Sequence, residues 1–146
     1  MDGARLTEPR MRLGLSILGV AQLVIGVWLA IDPDSFVDEV AAFGPADDHF
    51  LRDIATFQLA FGVALLLAVG RPRWRAGVLL VCVVQGVLHT VNHLVDIGGT
   101  DPAWQGYFNF FSLLAQTALF AYLFREAVRA EPARRPMPRA TERMPA

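Results

Sequence analysis

The sequence predicts an all-α integral membrane protein, a four-helix bundle built from four transmembrane helices. Three observations carry that expectation. Four apolar segments, at residues 11–31, 48–69, 74–97 and 104–124, have the length that crosses about 30 Å of hydrocarbon at 1.5 Å per residue. Apolar residues make up 54 % of the 146-residue chain, above the roughly 45–50 % of soluble domains, and the mean hydropathy is +0.40. Twelve of the 13 arginines lie in segments that four consecutive spans would leave on one side.

The first span follows Arg10 and Arg12. Its apolar run exceeds the roughly 7–15 residues of a signal-peptide core, so it reads as a retained helix. In the acidic stretch behind it, Phe36, Val40 and Phe43 recur at i, i+4 and i+7, with Asp38 and Glu39 off that face. Asp32-Pro33 is a helix-start signal, so the stretch reads either as a short amphipathic interfacial helix or as an ordinary connecting loop. The second span begins near Asp48, with Asp47 or Asp48 as its cap and Pro45 just upstream. Arg71-Pro72-Arg73-Trp74-Arg75 turns the chain into the third span, and residues 98–102 lead to the fourth. Gly14, Gly19, Gly26 and Gly62 offer close helix approaches without a strict Gly-x-x-x-Gly pair. Residues 1–10 read as an arm, 11–125 as the membrane domain, and 126–146 as a disordered tail rich in Arg and Pro.

Charge sets the expected orientation. The arm carries Arg5, Arg10 and Arg12, the middle turn carries three arginines, and the tail carries the other six of that side. The opposite side has only Arg52, with nine of the 14 acidic residues. The positive-inside rule then puts both termini in the cytoplasm of a bacterial plasma membrane.

Composition removes several function classes. A net charge of −1 creates no field that would gather nucleic acid. The one cysteine, Cys82, forms neither an intrachain disulfide nor a Cys-x-x-Cys pair. There is no Gly-rich phosphate loop and no His-Glu-x-x-His.

The polar residues inside the spans carry the functional signal, because ionisable groups in a lipid-embedded helix face a partner, a cavity or a ligand. His89, His93 and Asp96 lie within roughly 60° of one another on the third span. Gln85 extends their stripe inward. The expected topology brings His49, Arg52 and Asp53 of the second span to the same end. The fourth span adds Gln105, Asn109, Ser112 and Gln116. The predicted object is a polar His/Asp pocket, opening outward between the second and third spans.

Four readings fit that pocket. It is a hydrogen-bonded lock between helices. It is a transition-metal site for zinc, copper or iron, held by His89 and His93 with His49, Asp53 or Asp96. It is a haem or quinone site, with His49 opposite His89 or His93. Or it is a proton or small-solute path. No nucleophile–base pair stands out. The expected role is therefore an accessory or binding subunit, with a metal- or haem-dependent redox subunit or enzyme as the alternative. The expected partners are the lipid bilayer and a membrane protein or a second copy.

Residues 10–124 resemble the DoxX-like group of small bacterial four-helix membrane proteins. The resemblance rests on Arg12-Leu13-Gly14-Leu15 with Gly19 and Gly26, on His49-Phe50-Leu51-Arg52-Asp53 leading into a span with Gly62, and on the Gly70-Arg71-Pro72 turn. It implies a partner-dependent membrane subunit linked to respiratory or thiol-stress complexes, and it carries over no catalytic residue.

A reporter active only in the cytoplasm is expected to work when fused to the C-terminus and to be silent in the 98–102 loop. The reverse pattern would overturn the orientation.

Overall fold

A computed structural model describes residues 6–40, 43–44 and 47–130. Among them the chain forms five helices and no strand: α1 (Glu8–Ile31), α2 (Pro33–Glu39), α3 (Asp48–Val69), α4 (Pro72–Val95) and α5 (Trp104–Ala130). All but α2 are long and apolar enough to cross a membrane.

Local chemistry sets the helix starts. Asp32 accepts a hydrogen bond from the Ser35 amide at 3.2 Å, and Pro33 follows as the first residue of α2. Asp47 accepts from the Phe50 amide at 3.0 Å and starts α3. Pro72 opens α4 directly after the Gly70-Arg71 turn. The Thr100 hydroxyl accepts from the Gly106 amide at 2.8 Å in the first turn of α5.

The helix that carries the fourth expected span runs past residue 124 to Ala130. Glu126 explains the extension. Its carboxylate accepts from the Leu6 amide and from Arg129, both at 3.0 Å. That contact ties the last turns of α5 to the segment before α1, so residues 126–130 belong to the bundle. The remainder of the expected tail, residues 131–146, lies outside the described residues.

The four long helices associate as two tight pairs. Between α1 and α3, Gly19 and Gly26 face Gly62 and its neighbours. A Cβ added at Gly62 would lie 2.7 Å from Leu23 and 2.9 Å from the Gly19 carbonyl oxygen. Between α4 and α5, a Cβ at Gly86 would lie 2.6 Å from the Thr117 hydroxyl, and Thr117 shares a 3.2 Å hydrogen bond with Thr90. Small residues matter here because lipid supplies no hydrophobic drive between helices, and close backbone approach supplies dispersion contact instead.

The pairs meet at the arginine-rich end of the bundle. Leu15 of α1, Leu65 of α3, Leu79 of α4 and Phe120 of α5 fill one core there. Arg75 completes that end. Its guanidinium donates to the Ala68 and Val69 carbonyl oxygens at 3.2 and 2.9 Å, and forms a bidentate pair with Glu8 at 2.7 Å. It thus adds a partner to the last carbonyls of α3, and joins α1, α3 and α4. At the other end Leu29, Leu51 and Ala55 form a smaller cluster with α2, without α4 or α5. The outward faces expose Ile17, Val24, Leu88 and Phe111, as contact with lipid requires.

Gly62→Ala is expected to lower the thermal midpoint, at a cost of about 1–3 kcal/mol from overpacking. Gly70→Ala, where an added Cβ meets nothing within 4 Å, should shift stability by less than about 0.5 kcal/mol. Equal effects at the two positions would refute the close approach of α1 and α3.

Candidate functional site

Away from the arginine-rich end the two pairs part, and a cavity of about 440 Å³ lies between them. Each long helix contributes one glutamine to its wall: Gln22 from α1, Gln58 from α3, Gln85 from α4 and Gln116 from α5. His89 and His93 of α4, and Asn109, Ser112 and Thr117 of α5, add further polar groups. The remaining wall is apolar, and no Asp, Glu, Arg or Lys lines it among the described residues.

α2 and the residues after it close one side, through Phe36, Val40 and Phe43. These are the three apolar positions of the i, i+4, i+7 pattern. The helix is real but short, ending at Glu39, and its apolar face turns onto the cavity. Two amides of α5 hold it there. Asn109 donates to the Val40 carbonyl oxygen at 2.6 Å, and Gln105 donates to that of Glu39 at 3.3 Å. Both carbonyls sit at the end of α2, where no further helical turn satisfies them.

Gln85 and the two histidines form a chain of polar contacts. Gln85 Nε2 lies 3.4 Å from His89 Nδ1. His89 Nε2 lies 3.1 Å from His93 Nε2, and one of the two nitrogens donates to the other. His93 Nδ1 is a buried atom with no partner among the described residues. The Phe43 ring packs edge-on against His93, with centroids 5.1 Å apart. Gln58 Oε1 is likewise buried and unpartnered. The wall thus includes an unmatched amide oxygen and an unmatched imidazole nitrogen, an uncommon state for buried polar atoms.

The structure divides the residues expected to share a pocket. His89, His93, Gln85, Asn109 and Ser112 line the cavity. Asp96 falls just past α4 and is exposed, bordering a smaller adjoining recess with His89, Asn92 and His93. Gln105 holds α2 and is not part of the cavity wall. His49, Arg52 and Asp53 are not brought to the pocket. The His49 and Asp53 side chains are 87 % and 63 % exposed and lie 3.8 Å from each other. Arg52 pairs with Asp48 at 2.9 Å on the surface. Helical phase is the reason. Leu51, Ala55, Gly62 and Leu65 set the inner face of α3, and positions 49 and 53 point about 160° from Leu51. Among the described residues, no three His, Cys, Asp or Glu side chains converge as a metal-ligand set.

Gln58 was missed in the sequence because it stands alone in its span, without a polar stripe around it. The available signal was its position, seven residues after Leu51 and on the same face. No family model, no curated protein and no solved structure matches the chain.

Asn109→Leu is expected to free the lid, seen as faster amide hydrogen exchange over residues 33–40 with α1 and α3 unchanged. His49→Ala should alter stability by less than about 0.5 kcal/mol. Unchanged exchange in the Asn109 variant would remove that residue as the tether.

Proposed function

We propose that the chain is a membrane-embedded binding subunit whose interhelical cavity holds a small neutral molecule. One observation carries this reading: four helices each direct a glutamine to one cavity, and no charged side chain joins them. A charged ligand out of water would require a counter-charge. Amides and imidazoles offer donors and acceptors that match a neutral polar group, and the apolar wall takes the rest of the molecule. The volume falls within the roughly 300–1,000 Å³ of known small-molecule sites.

A binding role also accounts for the unmatched atoms. A buried polar group without a partner costs about 1–3 kcal/mol, and a ligand that pairs with Gln58 Oε1 or His93 Nδ1 recovers that cost. Of the five residues read as a metal set, His89 and His93 line the cavity while His49 and Asp53 face away, which favours an organic ligand over zinc, copper or iron. The arginine distribution supports cytoplasmic termini in a bacterial plasma membrane, with the cavity in the outer half of the bilayer. A subunit that binds and presents a ligand also fits the partner dependence implied by the DoxX-like resemblance.

Native mass spectrometry of the wild-type protein should show a retained neutral molecule that is released on unfolding. In protein stripped of it, Gln58→Leu should raise stability by about 1–3 kcal/mol, because the unmatched acceptor is gone. The same variant should lose the stabilisation that a membrane-lipid extract restores to the wild type. A destabilised variant with an unaltered response to the extract would refute the binding role of Gln58 and leave it as helix-packing glue.

A further inference from the structure

We infer that the ligand is a single-tailed neutral lipid that enters sideways from the bilayer, through the seam between α3 and α4. The inference rests on the binding reading above and names the ligand class and its route. A groove of about 720 Å³ runs between α3 and α4, walled by Phe57, Phe61, Leu80, Val84 and Leu88. Ile54, Gln58, Gln85 and His89 border both this groove and the inner cavity. The barrier between the two spaces is therefore no thicker than these side chains.

The helix packing explains why the opening is here. The glycines of α3 and α4 do not meet across this seam. Gly62 packs on α1 and Gly86 on α5, while a Cβ at Gly77 would meet nothing within 4 Å. Bulky side chains wedge the seam where the other interfaces have small ones. Beyond the turn that joins α3 to α4, this seam can part without breaking a backbone-close glycine contact.

The chemistry of the rim selects the head group. Hydrocarbon offers no hydrogen bond, so amides placed beside a lipid-facing groove need a partner that itself comes from the membrane. Gln58 Oε1, buried and unpartnered, accepts a hydrogen bond from such a partner. His93 Nδ1, deeper in, is a second unpartnered atom. A hydroxyl, which both donates and accepts, pairs with either, and a glycerol monoester supplies two hydroxyls and an ester carbonyl. Neither wall contains Asp, Glu, Arg or Lys, so an anionic phospholipid head would find no counter-ion. One slot between two helices receives one chain, which leaves the tail in the groove and the head at the glutamines.

The test uses the full chain in phosphatidylcholine nanodiscs containing a trace of monoacylglycerol with a diazirine in its tail. After irradiation, labelling should concentrate on residues 57–61 and 80–88, about tenfold above the lipid-facing Val20 and Val24 of α1. Unlabelled monoacylglycerol should compete it away. Gln58→Leu combined with Gln85→Leu should cut it by about tenfold, and Leu88→Trp, which fills the slot, should do the same while melting normally. Uniform labelling of the helices, or labelling indifferent to these variants, overturns the inference. Protein–protein cross-links centred on Phe57 and Leu88 also overturn it, and make the groove an interface between copies. If labelling is uniform yet native mass spectrometry retains a molecule without a tail, the lateral route fails and the binding reading stands. If labelling is uniform and nothing is retained, both fall.

Discussion

A single methyl group at Gly62 would sit 2.7 Å from Leu23 and 2.9 Å from the Gly19 carbonyl, so α1 and α3 touch backbone to backbone at that level. Everything else in the bundle is arranged around that contact and its counterpart at Gly86. In a bilayer, burying leucine against leucine gains little over burying it against lipid, so helix association depends on how closely the chains approach. Glycine allows that approach on one face of each helix only. Because α3 directs its glycine toward α1, and α4 directs its own toward α5, the α3–α4 seam is left to larger side chains. The tight pairs, the loose seam and the space between the pairs follow from where those glycines stand.

The two ends of the molecule handle polar groups in opposite ways. At the arginine-rich end, Arg75 is buried but fully engaged, with two carbonyls of α3 and both oxygens of Glu8. The network there is closed and the core beside it is filled. At the other end Gln58 and His93 are half-buried, each with one buried atom that has no partner among the described residues, and the space beside them is empty of protein. A closed network stiffens an end of the bundle, whereas an open one is a standing energetic cost that a ligand can relieve. The lid helix α2 belongs to the open end. Its apolar face covers the cavity, and two amides of α5, the Trp28 indole donating to the Ser35 hydroxyl at 3.1 Å, and the packing of Phe36 and Val37 on Leu29 and Leu51 keep it there.

Much of the fold was legible before any coordinate. The helix starts at Asp32-Pro33 and Asp47 are written in capping and φ-restricted residues, which act on their own neighbours, whereas α4 starts at Pro72, two residues before the expected span. The spacing of Phe36, Val40 and Phe43 left the stretch open between an interfacial helix and a loop, and only the packed structure turns those residues onto the cavity. The stripe of Gln85, His89 and His93 was visible, because residues on one helix keep their relative angles. What failed were inferences that crossed from one helix to another. His49 and Asp53 lie at the same end as His93, but sharing an end does not mean sharing a face, and the rotation of α3 turns them outward. Gln105 looked like a member of the cavity stripe and instead holds the end of α2. Glu126 looked like the start of a tail and is a buried clasp for the Leu6 amide.

By itself the sequence determined the class of the protein: length, apolar content and capping residues specify four membrane-length helices, since each depends only on local chain and solvent. The arginine pattern likewise needs no contact to be read. The tertiary structure alone decided which polar residues meet. The rotation of each helix is set by its glycines and by the side chains they admit, and those distances exist only once two helices have packed. That is why one glutamine from each long helix, scattered at positions 22, 58, 85 and 116, became a common wall only in three dimensions.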